Sequence, residues 1–188
     1  MRRRELIRLI AGLTGAAFVG ADAAGSTAGR ERRSIYSRAD VRFFDEVAET
    51  ILPRTDTPGA KDAEVGAFIA RYSAGRYEPA HLAIVKDGIA QLDARMRAMH
   101  GLTFMRASAD QKRSVLLAVD AEAKRHEQAK ADADRDRPPH YFTLMKQLTL
   151  YGFFTSEAGA TRVVRYRPVP GKYEGCVPYA RGETFWAW

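Results

Sequence analysis

A single cysteine, Cys176, stands in this chain of 188 residues. An intramolecular disulfide framework is therefore excluded, and so are zinc sites that need several thiolates. Cofactor signatures are equally scarce. No Gly-x-Gly-x-x-Gly, no Gly-x-x-x-x-Gly-Lys-Ser/Thr, no Cys-x-x-Cys-His and no Gly-x-Ser-x-Gly occurs, which removes the common dinucleotide, phosphate-loop, c-type haem and nucleophile-elbow motifs. No internal repeat and no strand-like alternation of useful length is present. The four histidines, His81, His100, His126 and His140, are scattered without the spacing of a metal triad and read as surface or structural residues. His140, between Pro138-Pro139 and an apolar segment, alone has a setting of its own. The carboxylates Asp45/Glu46/Glu49 and Asp120/Glu122 lie among other charges. A general acid needs surroundings that shift its pKa, so these read as solvated helix faces.

A net charge of +7 would suit nucleic acid if the cations were clustered in the body. They are not: Arg2, Arg3, Arg4 and Arg8 crowd the N-terminus, and farther on opposite charges interleave, as in Lys124-Arg125-His126-Glu127. That is the pattern of a salt-bridged surface and points away from nucleic acid as a partner.

The N-terminal segment explains the arginines. A basic head leads into Ala11-Gly12-Leu13-Thr14-Gly15-Ala16-Ala17-Phe18-Val19-Gly20, a run too short and glycine-rich for a membrane span. Ala21-Asp22-Ala23 then supplies small residues for a signal peptidase. The segment resembles a twin-arginine export signal, with Arg3 and Arg4 as the arginine pair, Leu6 and Ile7 as the apolar pair and Arg8 as the basic position beyond. A general secretory leader with extra arginines is the alternative. The expected organisation is a signal over 1–23, a linker over 24–36, a helical domain over 37–166 and an extended arm over 167–188. The expected location is the periplasm.

The body reads as all-α, a small helical bundle with an irregular, aromatic-rich C-terminal arm. Ser37 as N-cap and Asp40 in the first turn begin a helix carrying Phe43, Phe44, Val47 and Ile51, which Pro53 ends. A defined loop over 53–60 precedes a short helix through Val65, Phe68, Ile69 and Tyr72. His81 to His100 is amphipathic, with Ile84, Val85, Ile89, Leu92, Met96 and Met99 on one side and Gly101 as stop. Ser108-Ala109-Asp110-Gln111 has the form of a capping box, after which Leu116, Leu117 and Val119 are expected to be buried. From Ala123 to Pro138 the chain is polar, either an exposed helical extension or a loop.

Tyr141 to Phe154 is apolar over much of a helix circumference, hence either central in the bundle or partly covered by another chain. Past Arg167, prolines and glycines alternate with Tyr173, Tyr179, Phe185, Trp186 and Trp188. Each large ring withdrawn from water is worth roughly 1.5–3 kcal/mol, so the arm must find cover in its own bundle or on a partner. Cys176 lies in this arm. In an oxidising compartment it is a candidate for a disulfide to another chain, a free thiol or a small buried residue.

Three blocks carry a family resemblance: Phe44-Asp45-Glu46-Val47-Ala48-Glu49-Thr50-Ile51-Leu52-Pro53 with Thr55-Asp56-Thr57-Pro58-Gly59-Ala60; Leu148-Thr149-Leu150-Tyr151-Gly152-Phe153-Phe154-Thr155-Ser156-Glu157-Ala158-Gly159-Ala160; and Pro170-Gly171-Lys172-Tyr173-Glu174-Gly175-Cys176. On these the chain resembles the gluconate 2-dehydrogenase subunit 3 family, which includes small subunits of FAD-dependent glucose dehydrogenases. The resemblance implies a heteromeric sugar or alcohol dehydrogenase at the inner membrane. Its large subunit would hold FAD and its multihaem cytochrome c subunit would pass electrons on. This chain would bring no cofactor or catalytic residue, and would assist maturation of the large subunit and its export by the twin-arginine translocase. Tyr151, Phe153, Phe154, Tyr173, Tyr179, Phe185 and Trp186 become candidate interface residues. A small periplasmic enzyme using its carboxylates or His140, or a free-standing sugar-binding module, are the competing readings.

Overall fold

The structure is a computed structural model and describes residues 35–133 and 137–166, together with 171, 176, 178, 180–184 and 186–187, the side chains of 130–133 and 186–187 excepted. The helices are α1 (Arg38–Ile51), α2 (Val65–Arg76), α3 (Pro79–His100), α4 (Ala109–Ala133), α5 (Tyr141–Phe154) and α6 (Glu157–Arg162), with a 3-10 turn at Phe104–Arg106. Two two-residue strands, β1 (Arg165–Tyr166) and β2 (Trp186–Ala187), pair in parallel. The all-α expectation holds, and the strand pair is set by the return of a distant segment rather than by any local alternation.

Local chemistry starts and stops the helices where the sequence marks them. Ser37 and Asp40 form a reciprocal capping box at α1: the Asp40 amide donates to Ser37 Oγ at 3.2 Å and the Ser37 amide to Asp40 Oδ2 at 2.7 Å. Ser108 and Gln111 do the same at α4, at 3.3 and 2.9 Å. Gly101 ends α3 at φ 70°, a left-handed conformation that costs glycine little. α4 runs on to Ala133, so the first part of the polar tract is an exposed helical extension.

α5 is the central element and touches α1, α2, α3, α4 and α6. Its Phe142, Met145, Leu148 and Phe153 join Phe43, Phe44, Val47, Ile69, Val85, Leu92, Met96, Phe104, Val115 and Val119 in one core. Glycine permits the close approaches. A Cβ on Gly152 would stand 2.5 Å from the Phe68 ring, and one on Gly88 would stand 2.8 Å from both Met145 and Tyr141.

Several expectations are corrected. Tyr36, assigned to the linker, is 2% exposed, packs edge-on against Phe44 at 5.3 Å and accepts a hydrogen bond from Ser73 Oγ at 3.1 Å. The folded body therefore begins before Ser37. Leu117, expected in the core, is 62% exposed. At about 100° per residue it faces away from the buried line of Val115, Leu116, Val119 and Ala123. Met99, in the last turn of α3, is also exposed.

Candidate functional site

The α1 carboxylates Asp45, Glu46 and Glu49, expected from sequence to form a solvated face, are half-buried and hold the segment that follows. Glu49 accepts the Arg54 amide at 2.9 Å and the Lys61 amide at 2.8 Å, so the 53–60 loop winds around one side chain. Asp62 closes it by accepting from the Gly59 amide at 2.9 Å and from the Arg54 guanidinium at 3.1 Å. Asp45 accepts the Gly66 amide at 2.9 Å and so caps α2, whose own N-cap residue, Glu64, makes no side-chain cap. Burial pushes the Asp45 carboxyl above its usual range, the Gly66 bond notwithstanding. Burial acts on Glu46 as well, but Lys112 at 2.8 Å and Lys61 at 2.5 Å outweigh it and hold that carboxyl low. Asp120 is likewise held low against burial by Lys124 and Lys146. A raised carboxyl is one mark of a general acid. Asp45, though, spends Oδ1 on the α2 cap and borders only an open depression of about 480 Å³ beside Arg42, Lys61 and Glu64.

The histidine worth watching has a structural post. His140 caps α5, its Nδ1 accepting the Phe142 amide at 3.2 Å, while its own amide donates to Glu127 Oε1 at 3.0 Å. An acceptor Nδ1 requires the neutral ring, and burial lowers the His140 pKa accordingly. The His126 ring lies 5.6 Å away, and Glu122 reaches within 4.0 Å of His140 Nε2. Among the described residues, no group of three or more His, Cys, Asp or Glu is placed to hold a metal ion. Nor is any helix there long and apolar enough to cross a membrane.

What the structure does assemble is a platform of rings. Phe68 and Tyr72 of α2 stack at 5.3 Å; Tyr151 of α5 meets them edge-on at 5.6 and 5.4 Å; Tyr77, in the α2–α3 turn, meets Tyr72 edge-on at 6.1 Å. Tyr151 is 50% exposed and the other three are half-buried. A second surface feature is a groove of about 620 Å³ between α1, α4 and α5, with Ile51, Pro53, Leu116, Leu117 and Phe142 as its apolar lining and ion-paired Lys112 and Lys146 at its rim.

The expected interface residues thus separate. Tyr151 lies on the platform, and Phe154 is 37% exposed on the same helix. Phe153 is 3% exposed and belongs to the core, because it points inward with Gly152 while its neighbours face out. Trp186 contributes backbone to the strand pair. Tyr173, Tyr179, Phe185 and the leader residues Arg3, Arg4, Leu6, Ile7 and Arg8 lie outside the described residues. Cys176 is exposed and is not a small buried residue. Sequence reasoning missed Phe68 and Tyr72 because their helical spacing reads as a core face, and it gave Tyr77, just past the helix, no role. The clue is that Phe68 and Tyr72, with Tyr77 just beyond, add three rings to a short helix whose core needs were already met by Val65 and Ile69.

A sequence profile of gluconate 2-dehydrogenase subunit 3 matches residues 38–171, more than half of the chain. No curated protein and no solved structure matches the chain. The matched span contains the six helices of the described residues, the Glu49 loop and the ring platform, and two of the three resemblance blocks entirely. The chain belongs to the gluconate 2-dehydrogenase subunit 3 family, whose members are small accessory subunits that associate with the other subunits of a dehydrogenase complex.

Proposed function

We propose that this chain is the non-catalytic small subunit of an FAD-dependent sugar or alcohol dehydrogenase of the glucose dehydrogenase kind, that it assists maturation of the flavin-bearing large subunit, and that it carries that subunit into the periplasm through the twin-arginine pathway. The observation that carries the reading is the family match across the whole helical body. The fate of the titratable side chains supports it: Asp45, Glu49, Glu127 and His140 are occupied with caps and loop amides that hold the chain in shape.

In such a complex, substrate oxidation belongs to the large subunit and its FAD, and a multihaem cytochrome c subunit passes the electrons to the inner membrane. The leader residues Arg3, Arg4, Leu6, Ile7 and Arg8 fit an export route that takes folded cargo. Such a route suits a flavoprotein completed in the cytoplasm, and Cys176 is available for a disulfide to that partner once both reach an oxidising compartment.

Co-expression of the large subunit with this chain lacking residues 1–23 tests the reading. Active flavoprotein is expected to stay in the cytoplasm, whereas the intact chain brings it to the periplasm. A large subunit that reaches the periplasm regardless would remove the export role. Turnover of glucose or gluconate by this chain purified alone would remove the accessory one.

A further inference from the structure

An accessory subunit must present some face to its dehydrogenase, and we infer that the ring platform of Phe68, Tyr72, Tyr77 and Tyr151, flanked by Arg71 and Arg76, docks on another subunit of the complex. The surface opposite is protein with an apolar hollow bordered by carboxylates. This inference rests on the accessory-subunit reading above and places its interface.

Three observations favour this face. The rings already hold one another at 5.3–6.1 Å, so an incoming surface meets side chains with little rotamer freedom left to lose. Tyrosine and arginine are the residue types that most often dominate binding energy at protein interfaces. The charge is also of one sign and unspent. Arg71 follows Phe68 by three residues and Arg76 follows Tyr72 by four, which puts each beside a ring on the helix surface. Both are exposed, and neither makes an ion pair among the described residues. Glu78 is the exposed carboxylate adjoining Tyr77, one anion against two cations. The groove between α1, α4 and α5 is not of one sign: Lys112 and Lys146 at its rim are bound to Glu46 and Asp120, and its Arg113 is offset by Asp110 and Glu49. Charge complementarity therefore asks the partner for carboxylates at the platform, whereas the groove, with three cations among four carboxylates, makes no such demand.

The test uses the full chain, tagged and co-expressed with the large and cytochrome subunits of the proposed dehydrogenase. Retention of those subunits is compared for wild type, Tyr151→Ala, the double variant Arg71→Glu/Arg76→Glu, and Leu117→Asp in the groove. Circular dichroism melting of each isolated chain serves as the folding control. Tyr151→Ala is expected to weaken binding by roughly 30-fold, as central aromatic anchors do. The double charge reversal should abolish retention at low salt, and wild-type retention should fall as sodium chloride rises. If wild type retains no dehydrogenase subunit, the accessory reading itself fails. If wild type retains it and both platform variants do so equally well, the function stands and the platform is overturned. Loss with Leu117→Asp alone would move the interface to the groove and overturn the platform as well.

Discussion

Gly59 lies so close to Glu49 that a Cβ on it would stand 2.6 and 2.7 Å from the two carboxylate oxygens. That approach is what lets one glutamate collect the amides of Arg54 and Lys61 from the two ends of a loop. Glu49→Ala leaves both amides without their acceptor and is expected to lower stability by about 2–3 kcal/mol, since hydrogen bonds to a charged group are the stronger kind. Gly59→Ala should cost about 1–3 kcal/mol by crowding the same carboxylate. Urea denaturation measures both. Because the two changes injure one device, the double variant should lose less than the sum of the singles.

A second glycine ties the core to the proposed interface. Gly152 of α5 faces Phe68 of α2, and an added methyl would stand 2.5 Å from that ring. Phe68 is half-buried, so it can swing outward rather than break the bundle. Gly152→Ala is expected to cost about 1–3 kcal/mol and to displace Phe68 from Tyr72 and Tyr151. Dehydrogenase retention should then fall beyond what the melting temperature explains, and a control such as Gly75→Ala, where nothing lies within 4 Å, should leave retention alone and stabilise the helix by up to about 1 kcal/mol. Equal retention by Gly152→Ala would show that Phe68 need not hold its position.

These glycines mark the boundary of what the sequence makes legible. Helix ends at Ser37, Gly101 and Ser108 were readable because a cap is local: the donor and acceptor lie within four residues of each other. The central place of α5 was one of two options left open by its all-round apolarity, and only its contacts with five other helices decide between them. Long-range clamps were not readable. Asp45 caps a helix that begins twenty residues later, and nothing in its local pattern separates it from a solvated carboxylate. Leu117 and Phe153 were misassigned for one reason: in a run of consecutive apolar residues, composition says how many are buried, but neighbouring helices say which. The platform stayed hidden because Phe68 and Tyr72 share their spacing with true core residues, and exposure depends on where α5 stops covering α2.

Cys176 offers a covalent check on the complex. The thiol is exposed, and no second cysteine in the chain can pair with it. The assembled complex is expected to run on non-reducing electrophoresis as one band at the summed mass of this chain and the large subunit, and to split into two with reductant. Cys176→Ser should give two bands under both conditions. Two separate bands from the wild-type complex without reductant would sink the interchain bond and leave the non-covalent interface to stand alone.

His140 makes the stability of the bundle respond to pH. Its Nδ1 accepts the Phe142 amide at the start of α5, a role open only to the neutral ring. The groups around it are the Glu122 and Glu127 carboxylates, which favour protonation, and the His126 ring, which opposes it together with the larger effect of burial. The folded-state pKa therefore lies below the ordinary value of about 6.5, and below that pH the unfolded chain takes up the proton more readily than the folded one. The contribution is fully present above about pH 6.5 and is lost as pH falls through the folded pKa. Urea midpoints at pH 7.5 and 5.5 should differ in that direction for the wild type. In His140→Asn, whose side-chain oxygen can still cap the helix but does not titrate, most of that difference should vanish while stability at pH 7.5 changes little. A pH difference that survives undiminished in His140→Asn would show that the His140 ring does not carry it.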